Sequence, residues 1–198
     1  RRDVDAMVAI KLIAVTALLD DDTLRRFERE GAALERIRSA HVIKLHDYAF
    51  ADDCGFLALE HLRGGDLRRH LRTALKERRA VDFIGQILAG LSAAHGAGVL
   101  HRDLKPMNLM LRDAENLVVA DFGISRFSDS DSEHTTEAML LGTPAYMSPE
   151  QCMGQKVDER ADLYSAGVIF YEMLIGRRPY IGRAMMEIRS EEHTSELQ

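Results

Sequence analysis

The stretch HRDLKPMN, residues 101 to 108, places an imidazole, a guanidinium, a carboxylate, an ammonium and a carboxamide within eight positions, with a proline holding the chain rigid among them. What flanks it is apolar and ordered. Upstream, Phe83, Ile84, Ile87, Leu88 and Leu91 recur at helical spacing, so a long helix from Val81 to His95 delivers the chain to this point. Downstream, NLML and NLVV read as two short apolar strands around a turn at RDAE, and DFG follows at once. A fold that suits this chain has to hold that crowd of charge in a loop between a helix and a strand pair.

The 198 residues are 46% hydrophobic and 29% charged, enough to bury the core of one domain or two small lobes. The chain contains no apolar run of roughly eighteen residues, and its N-terminus RRDVDAMVAI lacks the pattern of a secretory signal, so the sequence predicts no membrane segment. A formal charge of −6 argues against a dedicated nucleic-acid binder, and Arg68, Arg69 and Arg72 read as a solvated helix face. Cys54 and Cys152 show no metal-ligand pairing and read as thiols of a reducing, cytoplasmic compartment.

The opening AMVAIKLI, about residues 6 to 13, reads as a buried strand with Lys11 as its odd member. After the acidic turn Asp20 to Asp22, the recurrence of Phe27, Leu34 and Ile37 predicts an amphipathic helix. Glu30 falls on its apolar stripe, where a carboxylate requires a partner. VIKLHDYAF and GFLALEH read as strands joined by the turn ADDCG. The glycines of LRGGDL mark a hinge to a helical second part that starts near Asp66. Residues 124 to 150 read as a long loop, and ADLYSAGVIFYEMLIG, apolar nearly all round, as a helix buried in the second part.

In this order and spacing, VAIK (8 to 11), Glu30, HRDLKPMN, DFG (121 to 123) and GTPAYMSPE (142 to 150) resemble a eukaryotic-type protein kinase, most similar to the Ser/Thr kinases of bacteria, over roughly residues 4 to 188. The resemblance implies an α+β, protein-kinase-like two-lobed fold, incomplete here: a small β-rich lobe in 1–62 lacking its first strands and a larger helical lobe in 63–188 lacking its last helices, with residues 189–198 read apart as a non-native tail. It implies transfer of the γ-phosphate of ATP to Ser or Thr hydroxyls of protein substrates, with Mg2+ as the metal and Mn2+ as its alternative.

The roles follow residue by residue from the resemblance. Asp103 is the base for the acceptor hydroxyl, and Lys105 offsets charge on the transferring group. Asn108 and Asp121 hold the metal, and Lys11 grips the α- and β-phosphates while Glu30 fixes its rotamer. Thr143 hydrogen-bonds Asp103 and Lys105. Leu59 is the gatekeeper, Glu60 to Leu62 the hinge, Asp66 a ribose contact, and Ala9 and Met110 the two sides of the adenine slot. Taken alone, Lys11 also reads as a strand lysine reaching to water, and each apolar pocket residue as ordinary core. His101 reads as a packed core residue stacked with Leu34, Phe122 and Asp162, with Asp162 capping amides of the catalytic loop. Arg102 is placed to bind a phosphate set on Thr135 or Thr136 by autophosphorylation, which would involve self-association; Ser128, Ser130 and Ser132 are the other acceptors nearby.

The chain also departs from that pattern. The glycine-rich turn expected before VAIK is missing, since ten residues precede Lys11 and none is glycine. Kinase-like sequence stops near Ile188, which predicts a buried Glu150 without its arginine, at a cost of roughly 3 to 5 kcal/mol. The closing RSEEHTSELQ reads as a translated sequencing adapter. The chain is therefore read as a fragment of a longer gene that binds nucleotide weakly and turns over little, the parent being open to carry a membrane anchor. SPE stands for the commoner APE, and Gly31 costs its helix about 1 kcal/mol relative to alanine. Two other readings share the fold: a pseudokinase-like binding module, which retention of Lys11, Asp103 and Asp121 speaks against, and a small-molecule phosphotransferase, which Lys105 and GTPAYMSPE speak against.

Overall fold

A computed structural model describes residues 7–14, 28, 31–51, 54–122 and 144–179. Phe27, Glu30, Gly123, Thr143, Ser128, Ser130, Ser132, Thr135 and Thr136 lie outside the described residues. The first part is a three-stranded antiparallel sheet in the order β1-β3-β2, built from β1 (Val8–Ala14), β2 (Leu45–Ala51) and β3 (Cys54–Glu60). Strand β3 is central, and its register sets Ala9 opposite Leu59 and Lys11 opposite Leu57. Because side chains alternate along a strand, Ala9, Lys11, Leu57 and Leu59 share one face. That face meets the core, where Leu57 is 1% exposed and lies in one cluster with Leu34 of a helical stretch at 31–36.

The expectation of a buried first strand is corrected on the opposite face. Val8, Ile10 and Leu12 are 43, 54 and 68% exposed, because β1 is an edge strand that packs only its Ala9 and Lys11 side inward. Gly31, read from sequence as a cost to its helix, has a packing reason. A Cβ there would lie 3.3 Å from the Tyr48 ring.

The second part starts at Asp66, whose carboxylate accepts from the Arg69 N–H and caps a short 3-10 helix, Leu67–His70. Helix α1 (Glu77–Gly96) buries Ala80, Phe83, Ile87, Gly90, Leu91 and Ala94, a stripe at three- and four-residue spacing. Leu88, expected on that stripe, is exposed. Next comes the hairpin of β4 (Leu109–Leu111) and β5 (Leu117–Val119), whose turn is held by Asp113 accepting from the Glu115 and Asn116 N–H groups. Two further helices complete the order, α2 (Pro149–Cys152) and α3 (Glu159–Ile175). Helix α3 packs on α1 through Ala166, Ile169 and Met173 but leaves Leu163, Tyr171 and Ile175 exposed, so it is buried on one face and not all round. No described helix is long and apolar enough to cross a membrane.

The two parts are tied through the β4–β5 hairpin. Ile43 N–H donates to the Val119 carbonyl and Val119 N–H to the His41 carbonyl, both at 2.9 Å. Gly64 N–H donates to the Leu111 carbonyl at 2.9 Å, and a Cβ on Gly64 would lie 2.4 Å from that same oxygen. The hinge glycine is therefore required by close backbone approach. Gly90 answers a similar need, since a Cβ there would lie 2.6 Å from the His41 carbonyl oxygen.

Two glycines of α1 should thus respond in opposite directions to alanine. Gly85 faces open space, so Gly85→Ala is expected to stabilise the fold by about 1 kcal/mol through helix propensity alone. Gly90→Ala is expected to destabilise it by about 1–3 kcal/mol, because overpacking against backbone outweighs the propensity gain. Urea midpoints of the two variants check both signs.

Candidate active site

The catalytic-loop geometry starts from a carboxylate on α3. Asp162 is 2% exposed and accepts three hydrogen bonds at 2.8 Å: His101 N–H and His95 Nε2 on Oδ2, and Arg102 N–H on Oδ1. These bonds hold Arg102 in the left-handed region at φ 61, a conformation that a residue with a Cβ rarely adopts unaided. The kink turns the next residue, Asp103, out of the core. The expected amide-capping role of Asp162 is what the structure has. His95 was not anticipated, because its partner Asp162 lies 67 residues away in sequence.

Asp103, Lys105 and Asn108 come together. Lys105 Nζ donates to Asp103 Oδ2 at 2.7 Å, and Asn108 Nδ2 donates to the Asp103 carbonyl at 2.8 Å and to Oδ2 at 3.3 Å. Asn108 is buried, and with its nitrogen spent on Asp103 the carboxamide oxygen is left as the accepting end. The second cluster is Lys11 with Asp121, Nζ to Oδ1 at 2.8 Å, with side chains 29 and 45% exposed. Asp121 is also left-handed, at φ 55. Glu30, the expected partner of Lys11, lies outside the described residues, as does Thr143.

His101 joins the two clusters. Its Nε2 bonds the Ala120 carbonyl at 2.9 Å, its Nδ1 accepts from the Asp103 N–H at 3.3 Å, and its ring lies 4.9 Å from that of Phe122. Both bonds fit a neutral ring with the proton on Nε2. Complete burial pushes the His101 pKa below its ordinary value, against the opposing pull of the Asp162 and Asp103 carboxylates.

At the junction of the two parts, Leu59 packs on the core and Leu62 is buried. The Glu60 side chain is engaged elsewhere. Arg112 Nε and Nη2 donate to its two carboxylate oxygens at 2.7 and 2.9 Å, and this fork holds the Glu60 carboxyl below the usual carboxylate range. Arg112 Nη1 donates to the Ala40 carbonyl at 2.9 Å. Asp66 bridges to Met110 through backbone while its carboxylate caps the 3-10 helix and meets Arg68 at 3.4 Å, so a ribose contact would have to share that oxygen set.

On the other side of Asp103 lies a small cleft lined by Arg102, Asp103, Lys105, Tyr146, Met147 and Gln151 among others. Tyr146 donates its hydroxyl to Glu172 Oε2 at 2.6 Å, and burial raises the Tyr146 pKa, so it stays a donor. Ser148 and Gln151 form a reciprocal capping box, and Gln151 Nε2 donates to the Arg102 carbonyl at 2.7 Å. Serine in place of the commoner alanine in SPE therefore caps α2. Glu150 sits in the first turn of α2 and is half-buried, so the expectation of a buried, costly charge is corrected: it reaches solvent at a helix end that favours a carboxylate.

A family model described as the protein kinase domain matches residues 1–197. The chain belongs to the protein kinase domain family. Among its relatives, serine/threonine-protein kinase pkn3 of Myxococcus xanthus is 41% identical over 186 residues, covering 89% of this chain and 34% of pkn3. The serine/threonine-protein kinase drp72 of Corynebacterium efficiens is 39% identical over 191 residues, 93% of this chain and 36% of the relative. Serine/threonine-protein kinase PknL of Mycobacterium tuberculosis is 36% identical over 186 residues, 93% of this chain and 46% of PknL. This kinase domain thus spans about a third to a half of the length of these relatives.

Kinase domains of this family use ATP and Mg2+. The residues present fit that pair. A magnesium ion carried with phosphates takes one or two protein oxygens and keeps water for the rest, and hard oxygens are its preferred ligands. Asn108 offers a carboxamide oxygen and Asp121 a carboxylate, and the two are linked through the Ala120 N–H bonded to the Asn108 carbonyl at 2.8 Å. Among the described residues no group of three or more His, Cys, Asp or Glu forms a metal cage of its own.

The neutral His101 ring makes stability depend on pH. Unfolded, it takes up a proton near 6.5; folded, its pKa is lower, so the unfolded chain binds more protons below that value. His101 therefore contributes fully above about pH 6.5, and its contribution is lost as pH falls through the window below. Urea midpoints measured down from neutral pH should decline across that window, and His101→Phe should flatten that part of the curve.

Proposed function

We propose that this kinase domain transfers the γ-phosphate of ATP to Ser or Thr hydroxyls of protein substrates, with residues 1–62 as the nucleotide-covering lobe and 63–188 as the lobe that holds the acceptor. The observation that carries the reading is the convergence of Lys105 and Asn108 on the Asp103 carboxylate, at the edge of a small cleft. In this reading Asp103 accepts the proton of the acceptor hydroxyl and aims its oxygen, while Lys105 stands beside the transferring group and offsets its charge. Lys11 reaches the phosphates from the roof strand, and Asn108 and Asp121 hold the metal. When bound, MgATP supplies an electrophilic phosphorus and a leaving group already neutralised in part by the cation.

Lys11 now bonds Asp121, the carboxylate assigned to the metal. In the proposal the ammonium moves onto the phosphates as the nucleotide enters, and Glu30 then fixes its rotamer. Ala9 and Met110 take the two sides of the adenine ring, with Leu59 behind it and backbone groups of Glu60 to Leu62 at its edge. Thr143 secures the acceptor side, and Asp66 shares its capping oxygens with the ribose. Phosphorylation at Thr135 or Thr136 by a second copy, read out by Arg102, and a cytoplasmic setting belong to the same proposal. The relatives' printed names support the Ser/Thr class.

The test uses this chain with radiolabelled ATP and Mg2+, offering casein in one arm and an aminoglycoside panel in the other. Only weak label is expected on casein and on the chain itself, because the glycine-rich turn expected before VAIK is missing. Asp103→Asn is expected to lower transfer about 10²–10⁴-fold, while calorimetric ADP binding persists. Label on the aminoglycosides alone, or transfer undiminished in Asp103→Asn, would refute the reading.

A further inference from the structure

Arg112 lies one residue past β4 and has no part in the site expected from the sequence. Its guanidinium nonetheless joins three distant segments. It grips both oxygens of Glu60, at 2.7 and 2.9 Å and 52 residues away, and the Ala40 carbonyl, at 2.9 Å and 72 residues away. Glu60 ends β3 and follows Leu59, which is paired with Ala9; Met110 lies in β4, two residues before Arg112. One planar fork therefore spans from the strand pair that carries Ala9 and Leu59 to the strand that carries Met110.

We infer that Arg112 is a positioning residue for the nucleotide: by clamping Glu60 and Ala40 it sets the separation of those strands and so preforms the slot that adenine enters. The inference rests on the nucleotide reading above. The backbone connection beside the fork runs through Gly64 and Gly65, the residue type that constrains a linker least. The Gly64 and Leu111 peptide bonds pin its path, and the guanidinium adds a side-chain constraint with fixed bidentate geometry. A preformed slot shows in affinity, because less ordering remains to be done when the ligand arrives. Asp103, Lys105 and Asn108 are held by bonds to one another and, through the backbone, to Asp162, so the fork has little leverage on the transfer step.

The experiment measures ADP binding with Mg2+ by calorimetry, and KM for ATP and kcat on casein, in the unmutated chain and in Arg112 variants. Arg112→Ala is expected to raise the ADP Kd and the KM for ATP about tenfold with kcat within about twofold. Arg112→Lys, which keeps the charge and loses the fork, should fall between, and the reversed pair Arg112→Glu with Glu60→Arg should recover most of the affinity. An ADP Kd unchanged in Arg112→Ala, or a fall in kcat at unchanged Kd, overturns the inference. If Arg112→Ala gives no cooperative thermal transition, Glu60→Gln, which keeps the shape and removes the charge, should weaken ADP by a smaller factor, and an unchanged Kd there is equally fatal. An unmutated chain that binds no ADP sinks the nucleotide reading itself and this inference with it, so the two failures are told apart by which protein shows them.

Discussion

The Asp162 carboxylate is the point from which the catalytic loop takes its shape. A charge this deeply buried is tolerable only when fully bonded, and here one oxygen serves a backbone amide while the other serves an amide and a histidine. Removing such a group's partners costs about 3–5 kcal/mol, against a total stability of roughly 5–15 kcal/mol for a domain. Those same bonds offset the strain of the left-handed Arg102, which costs on the order of 1–2 kcal/mol. The interaction therefore does more than anchor a loop. It selects the conformation in which Asp103 leaves the core while His101 stays in it, 0% exposed.

From that kink the rest of the site follows by short-range bonding. His101 reaches forward to Asp103 and across to Ala120, so the position of Asp103 and that of Asp121 are coupled through one neutral ring. Lys105 and Asn108 complete the set, because the 3-10 turn Pro106–Asn108 returns the chain towards Asp103. The electrostatics are kept local: two lysines meet two carboxylates in separate pairs at 2.8 and 2.7 Å, both partly exposed. Pairs of that kind contribute little to stability, at most about 1 kcal/mol each, which leaves them available for exchange with a ligand's phosphates.

Much of this was legible because the decisive groups sit close together in sequence. HRDLKPMN carries its own geometry, and Asp162 could be matched to it because a carboxylate in an otherwise apolar helix demands a polar target. The hairpin strands and the helix over Glu77–Gly96 followed from apolar spacing. Burial was harder to read. Apolar runs such as VAIKLI and ADLYSAGVIFYEMLIG do not reveal which face has something packed against it, and in both the structure exposes residues that pattern alone would bury. The long-range contacts of Arg112, His95 and Gln151 gave no signal. Each makes a contact 49 or more residues away that no local spacing encodes; of Gln151, only the capping box with Ser148 is written in the local sequence.

The same contrast explains how the two parts of the molecule are coupled. Leu57 of the first part shares one hydrophobic cluster with Ile87, Leu109 and Ile169 of the second, and this burial gives cohesion across the junction that is roughly proportional to area and indifferent to exact geometry. Across the same junction run directional connections: the backbone bonds of residues 41–43 to β5, those of Gly64 to β4, and the Arg112 fork. Directional bonds fix angles as well as distances, at a net worth of about 0.5–1.5 kcal/mol for each neutral backbone bond and about 1.5–3 kcal/mol where a charged group takes part. The β4–β5 hairpin sits at that junction, so shared apolar burial and directed bonds meet on the strand that carries Met110.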